Sequence, residues 1–431
     1  MMSKTHYVFK PYNVGRWITW GLFALLLLMA PKVFTSNLSI SMLAQMGIAI
    51  IACLSYNMLL GQGGMLSFGH AVYTGLGSYM AIHALLRVSE GMMNMPVSLI
   101  PIVGGLAGLV FAILFGYVTT KKAGTTFAMI TLGIGELVFA MSLMFSEFFG
   151  GEAGITADRM VGDPVMGISY GPNIQVYYLI AVYTFVCVAL MFAFTRTPLG
   201  RILNAVRDNP ERVEFIGYNT QMVRYLAFII AGFFAGISGG LAAIQFEIVT
   251  AEVVGPVRSG GYLLFTFLGG ATFFFGPIIG GVLMVLAFVL FSEITKAWLL
   301  YLGLIFLFMV MYAPGGIASL IMMNLRVAAF GRLRELWVSY LAMAGSALVM
   351  LAGAGALIEM VYHLQLSTAM GDTVAFLGVP LDTTRADSWF GGAFVMLTGL
   401  GIFELVRRHF MRHWADIQTD IEKEIKRRET E

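Results

Sequence analysis

QVYYLIAVYTFVCVALMFAF (residues 175–194) and MVRYLAFIIAGFFAGISGGLAAIQ (residues 222–245) stand on either side of TRTPLGRILNAVRDNPERVEFIGYN (residues 195–219). Each outer segment is apolar over the roughly 17 to 25 residues that a helix needs to cross a bilayer. The inner segment is charged and is punctuated by Pro198, Asn209 and Pro210. Two spans with a polar island between them set the fold class: an all-α, polytopic transmembrane helical bundle. The rest of the chain agrees. Of its 431 residues 58% are hydrophobic and 12% charged, with a mean hydropathy of +0.83, far outside the soluble globular class.

Similar windows recur along the chain, about twelve in all by hydropathy and length. They cover residues 17–34, 38–60, 66–86, 97–120, 126–148, 175–194, 222–245, 262–275, 277–292, 298–312, 338–362 and 390–406. Between 262 and 292, Gly269, Gly270, Gly276 and Pro277 mark either a tight hairpin or one broken helix. Cytoplasmic loops retain Lys and Arg. Under this division 20 of the 26 basic residues fall on one side, Lys4 and Lys10 among them. Lys32, Arg87, Arg159, Arg258, Lys296 and Arg385 fall on the other. The asymmetry places both termini and the 195–219 island in the cytoplasm. A short basic stretch precedes the first apolar segment, but no small-residue cleavage site follows Ala30, so it reads as a retained helix. Cys53 and Cys187 lie inside apolar spans and imply free thiols. Basic residues spread along one membrane face give no nucleic-acid signal.

Glycine is the second signal, with 50 in the chain. The clearest cluster is Gly61-Gln62-Gly63-Gly64-Met65-Leu66-Ser67-Phe68-Gly69-His70. Glycines with polar Gln62, Ser67 and His70 among them point to a discontinuous or cavity-lining helix, and Gly64 and Gly69 belong to the same candidate path. Close helix packing is the alternative. A charge in hydrocarbon costs several kcal/mol and marks function or a bonded partner. Glu136 is such a charge. At helical spacing Met129, Gly133 and Glu136 share one face with Leu132 beside them, and Thr126 and Thr131 add polar groups. This stripe either lines a solute path or holds a carboxylate bonded to a neighbouring helix. His83, Glu359 and Glu404 lie near span ends and read as side chains snorkelling to the interface.

The chain lacks a G-x-x-x-x-G-K-[ST] loop, an H-E-x-x-H motif and any Cys/His ligand cluster, so no catalytic, cofactor or metal residues are assigned. Driving energy must come from an ion gradient or from another polypeptide. The island favours the second. Thr197-Pro198 suits a helix start, and Leu199, Ile202, Leu203 and Val206 recur at helical spacing. Asn209-Pro210 breaks the run, and a second short helix ends at Gly217. Two short helices around a turn make a knob for a groove on a soluble partner. An amphipathic loop lying on the inner membrane surface is the alternative.

Gly200, Ala205, Arg207, Asn209, Glu211 and Gly217, as G-x4-A-x-R-x-N-x-E-x5-G, resemble the coupling loop of ABC importer permeases. Together with GQGGMLSFGHAVYTGLGSYMA (61–81), TTFAMITLGIGELV (125–138), FLGGATFFFGPIIGG (267–281) and YAPGGIASL (312–320), they are similar in order and spacing to the permeases of branched-chain amino acid ABC importers. The resemblance covers roughly residues 17–325. It implies an inner-membrane subunit in bacteria that pairs with a second related permease, two cytoplasmic ATPases and an extracytoplasmic solute-binding protein. ATP would then be bound and hydrolysed on the partner subunits. By the resemblance, Gly200 through Gly217, with Arg201, contact an ATPase, and Gly61–Gly69 and Thr126–Glu136 border the translocation path. Arg212 and Val213 stand where the family loop tends to have two alanines. The family usually stops near Gly316, whereas residues 336–406 add two further spans. The expected organisation is a permease domain over 1–335, additional helices over 336–406 and a charged cytoplasmic tail over 407–431. Relatives also carry urea, short amides and small organic acids. A gradient-driven secondary transporter and a non-transporting scaffold are the rival classes. The first would favour paired intramembrane charges, and the second gives the glycine breaks no purpose.

Overall fold

The computed structural model describes residues 14–161, 169–366 and 373–430. Lys4 and Lys10, counted above with the basic side, lie outside the described residues. The helices are α1 (Val14–Val33), α2 (Asn37–Gly63), α3 (Ala71–Ser89), α4 (Ile100–Thr119), α5 (Thr125–Met144), α6 (Ser146–Phe149), α7 (Asn173–Arg196), α8 (Pro198–Asp208) and α9 (Pro210–Phe215). They continue with α10 (Thr220–Phe246), α11 (Pro256–Gly269), α12 (Gly276–Val285), α13 (Ser292–Ile294), α14 (Trp298–Tyr312), α15 (Gly316–Ala329), α16 (Leu333–Leu366) and α17 (Ala386–Thr430). Strands form two small antiparallel pairs, β1 (Ile155–Thr156) with β2 (Ile248–Val249), and β3 (Thr373–Phe376) with β4 (Val379–Asp382). Among the described residues eight helical stretches are long and apolar enough to cross a membrane, and α14 with α15, bent by 48° at their break, make a ninth. The chain is a polytopic, all-α helical bundle.

The 262–292 stretch is a hairpin. A methyl on Gly269 would lie 2.7 Å from Gly280 N, so α11 and α12 touch backbone to backbone. At 14 residues α11 is about 21 Å long, short of the roughly 30 Å hydrocarbon core. The chain gathers into two compact units, residues 1–291 with 306–318, and residues 292–305 with 319–431.

In the first unit α2 and α10 are central. The apolar window of α10 is 78% buried and that of α2 61%, against 28% for α5. Small residues permit this. A methyl on Gly104 would meet Gly236 O at 2.7 Å, and one on Gly77 would meet Gly236 Cα at the same distance, so α3, α4 and α10 cross with their backbones in contact. Hydroxyls pin the crossings: Ser238 Oγ donates to Ile48 O (2.9 Å), Ser78 Oγ to Gly239 O (2.8 Å) and Thr266 Oγ1 to Cys53 O (3.3 Å). Each such bond between membrane helices contributes about 0.6–2 kcal/mol. At the C-terminal end of α10, Glu247 takes a left-handed conformation and its carboxylate accepts the Arg159 N–H at 3.0 Å. Arg159 also donates to Gly171 O and Asn173 Oδ1, which closes the β1–β2 edge.

The second unit is a long helical hairpin. Leu377 and Gly378, both with positive φ, turn β3 into β4 as a two-residue loop requires, and this ribbon joins α16 to α17. A methyl on Gly353 would come 2.7 Å from Met396 Cα, so the two helices pack closely. Val327, Leu336, Phe410, Ile417 and Ile421 form its core, and Arg332 pairs with Asp420 at 3.0 Å. The three groups read as snorkelling each have a bonded partner. Glu359 is half-buried and accepts from Thr295 Oγ1 and from Tyr301 OH (3.4 Å). Glu404 pairs with Arg407 (2.7 Å) and Arg408 (2.8 Å) one turn on. His83 Nε2 bonds Phe148 O at 2.8 Å.

Candidate translocation face and docking knob

The glycine cluster begins where α2 stops. Gly64 caps α2 in the left-handed conformation (φ 64°), which a residue without Cβ adopts at little cost, and its N–H returns to Leu60 O at 3.0 Å. The chain then runs without helix to α3. In that break Ser67 and His70 are buried, and His70 Nε2 meets Ser55 Oγ at 2.9 Å. Gln62 is buried in the last turn of α2, whereas Gly64 is exposed. Gly69 packs so closely on Thr131 O that a methyl has no room there. Thr131 Oγ1 accepts the Phe68 N–H at 3.1 Å and so supplies a partner for the broken backbone. Side-chain oxygens or nitrogens of Tyr56, Asn57, Gln62, Ser67 and His70 are buried without hydrogen-bond partners, a density of unmet polar groups that normally marks bound water or function.

The other half of the sequence-read path faces the opposite way. Thr126, Met129, Leu132, Gly133 and Glu136 are all exposed on α5, and a methyl on Gly133 meets nothing within 4 Å. Thr131 alone of the α5 set turns into the unit, with Gly69 and Phe68. The nine candidate path residues therefore divide between a packed break and an outward stripe.

The 195–219 island is a knob of two short helices. Thr197 caps α8 by accepting the Gly200 N–H (3.2 Å), Pro198 fills the first helical position, and Asn209 caps α9 by accepting the Arg212 N–H (3.0 Å). Gly200, Leu203, Val206 and Val213 turn inward, and Gly200 backs onto Phe194 O. Arg201, Ala205, Glu211 and Gly217 are exposed, and Gly217 ends the knob at φ 89°. Phe215 is 88% and Ile216 70% exposed. The sequence places both in the second short helix that ends at Gly217, and the helix closes at Phe215. Arg207 has a double engagement, pairing with Asp208 (2.9 Å) while its Nη1 donates to Gly61 O in the last turn of α2. A cation against the carbonyl end of a helix satisfies an orphan acceptor and opposes the negative pole. The knob is thus tied to the glycine break.

The profile of the family described as branched-chain amino acid transport system / permease component matches residues 38–315. The chain belongs to this permease family. The permease match runs from α2 to α14 and stops before α15, α16 and α17. The permease is similar to the high-affinity branched-chain amino acid transport system permease protein LivM of Escherichia coli (strain K12), 27% identical over 294 residues, 63% of this chain and 67% of LivM. It is 24% identical over 263 residues to the probable branched-chain amino acid transport permease protein LivH of Methanocaldococcus jannaschii, covering 59% of this chain and 82% of that one. The galactose/methyl galactoside import permease protein MglC of Salmonella typhimurium matches at 24% identity over 304 residues, 62% of this chain and 86% of MglC. No solved structure matches.

Proposed function

We propose that this permease is one of two related membrane subunits of an ATP-driven ABC importer for branched-chain amino acids, sited in the bacterial inner membrane with both termini in the cytoplasm. ATP is bound and hydrolysed by two cytoplasmic ATPases, and an extracytoplasmic binding protein delivers the solute. The observation that carries this reading is the knob, on which Phe215 and Ile216 are exposed together with Arg201, Glu211 and Arg212. Aromatic and aliphatic anchors inside a charged rim are what a groove on a soluble subunit recognises.

The chemistry of coupling then follows from two ties. ATPase closure displaces the knob, and Arg207 carries that displacement to Gly61, where α2 ends in a segment without helical hydrogen bonds of its own. From there Phe68 and Thr131 reach α5, whose outward stripe of Gly133 and Glu136 faces the second permease across the path. ATP and solute bias one equilibrium between outward-open and inward-open arrangements.

The test is solute-stimulated ATP hydrolysis by the assembled complex. Phe215→Asp should lose the ATPases from the purified complex. Arg207→Glu should keep them and reduce stimulation by about tenfold or more, the loss of a charge-assisted bond of roughly 1.5–3 kcal/mol. Unchanged assembly and stimulation in both variants would overturn the assignment of the knob. The galactoside-permease relative supports a second reading of cargo, a small polar solute such as a sugar, which competition of uptake by leucine against methyl galactoside decides.

A further inference from the structure

Within the first unit, α2, α3, α10, α11 and α12 line a partly open pocket of about 70 Å³. At roughly 10–15 Å³ for each water it holds about five to seven waters, or a solute of similar size. Its wall has three kinds of chemistry. Ile48, Phe246, Val253 and Phe288 are apolar. Phe288 sits in the π-helical stretch Leu286–Phe291, a geometry that recurs at functional sites.

Arg258 is the only charged residue of the wall. Among the described residues it makes no ion pair and no hydrogen bond: Glu247, at the end of α10, pairs with Arg159, and Glu252, six residues before Arg258, is exposed and not paired with it. The first turn of α11, where Arg258 lies, holds no acidic side chain either. An unneutralised guanidinium beside an apolar cavity in a membrane bundle calls for an anion from outside the chain.

The third kind is the hydroxyls of Thr74, Ser78 and Ser238. Each has already donated its proton to a backbone carbonyl: Thr74 to Ala71 O (3.0 Å), Ser78 to Gly239 O (2.8 Å) and Ser238 to Ile48 O (2.9 Å). What they retain is oxygen lone pairs, which accept from a cationic donor. A cation, a set of acceptors and an apolar wall in one small space match a zwitterion with a short aliphatic side chain.

We propose that this cavity is a binding site for a small aliphatic α-amino acid, with Arg258 taking the carboxylate, the hydroxyls of Thr74, Ser78 and Ser238 accepting from the ammonium, and Ile48, Phe246 and Phe288 housing the side chain. The site lies inside one permease chain, apart from the outward stripe of α5. It deepens the importer reading and rests on it for the choice of an amino acid as ligand.

The test is binding of radiolabelled valine to the full chain in lipid nanodiscs without ATPases, so that it does not depend on assembly or transport. Wild type should bind valine, valinamide should fail to compete because it lacks the carboxylate, and isovalerate should compete at least tenfold more weakly because it lacks the ammonium. Arg258→Gln should weaken binding by at least tenfold, and Arg258→Lys should restore part of it. Ala242→Leu fills the pocket while keeping the guanidinium of Arg258 and should abolish binding, which keeps the test decisive if the Gln variant does not fold. Equal binding by wild type and Ala242→Leu, or equal competition by valinamide, would overturn the site. So would a phospholipid that co-purifies with wild type and is lost from Arg258→Gln, since the anion is then a lipid headgroup. An assembled complex that does not move valine, although the chain binds it, would refute the importer cargo and leave the site standing.

Discussion

Helices α5 and α10 are both apolar enough to span a bilayer, yet α10 is buried over 78% of its window and α5 over 28%. Hydropathy does not separate them. Glycine placement does: Gly232, Gly236, Gly239 and Gly240 recur on the faces of α10 that meet α3 and α4, where each neighbouring backbone lies within 3 Å of where a methyl would stand. In α5, Gly133 opens onto empty space and Gly135 makes only an ordinary contact with Gly69 Cα at 3.4 Å. In lipid, where apolar surface gains nothing by touching another helix, close backbone approach and hydrogen bonds decide which span goes inside. The lesson is that the apolar content of a membrane helix tells that it spans, and its small residues tell where it sits.

The comparison breaks first at Gly236. Gly236→Leu drives a side chain into Gly104 O and should destabilise the chain by about 3 kcal/mol or more, read as aggregation on size exclusion or a lowered melting midpoint in detergent. A stable, monodisperse Gly236→Leu would mean that α10 is not held by backbone contact. Next is Thr131→Val, at a buried polar edge of α5. It strands the Phe68 N–H and should cost about 1–3 kcal/mol, with faster proteolysis in the 61–70 break as its local sign. Asn209→Ala removes the cap of α9 and should cost about 1 kcal/mol, seen as faster hydrogen exchange in residues 210–216 with the rest of the unit unchanged. The smallest stability effect belongs to the outward stripe. Gly133→Leu and Glu136→Gln should each leave the melting midpoint within about 0.5 kcal/mol of wild type, while uptake by the assembled importer falls. Wild-type uptake in both variants would remove α5 from the path.

Much of this was legible in the sequence because its cues are local. Spans α2, α4, α7 and α10 begin and end within a few residues of the hydropathy windows, and Pro198, Asn209 and Gly217 set out the knob by capping chemistry that acts over three residues. That Met129, Gly133 and Glu136 share one face follows from helical periodicity alone, whereas its outward direction does not. What was not legible depends on contacts between distant residues. Phe68 finds Thr131 across 63 positions, and Arg207 finds Gly61 across 146, and no period or motif announces either. Arg258 read as one more loop charge because nothing nearby in sequence tells that α2, α3 and α10 line a pocket beside it. The 262–292 stretch stayed ambiguous because glycine and proline punctuate a hairpin and a kink alike, and only the contact of Gly269 with Gly280 separates them.

The helix α17 has 45 residues without a break. At 1.5 Å per residue that is about 68 Å, more than twice the roughly 30 Å of hydrocarbon it has to cross. Its first half is apolar and its second half, from Arg407 onward, carries charges of both signs tied by pairs such as Arg427 with Glu424. Such a rod leaves the bilayer with its pitch intact, so a tilt of its membrane half by ten degrees sweeps its far end sideways by several ångströms. A straight rod of this length turns a small tilt of its apolar half into a larger displacement of its charged half.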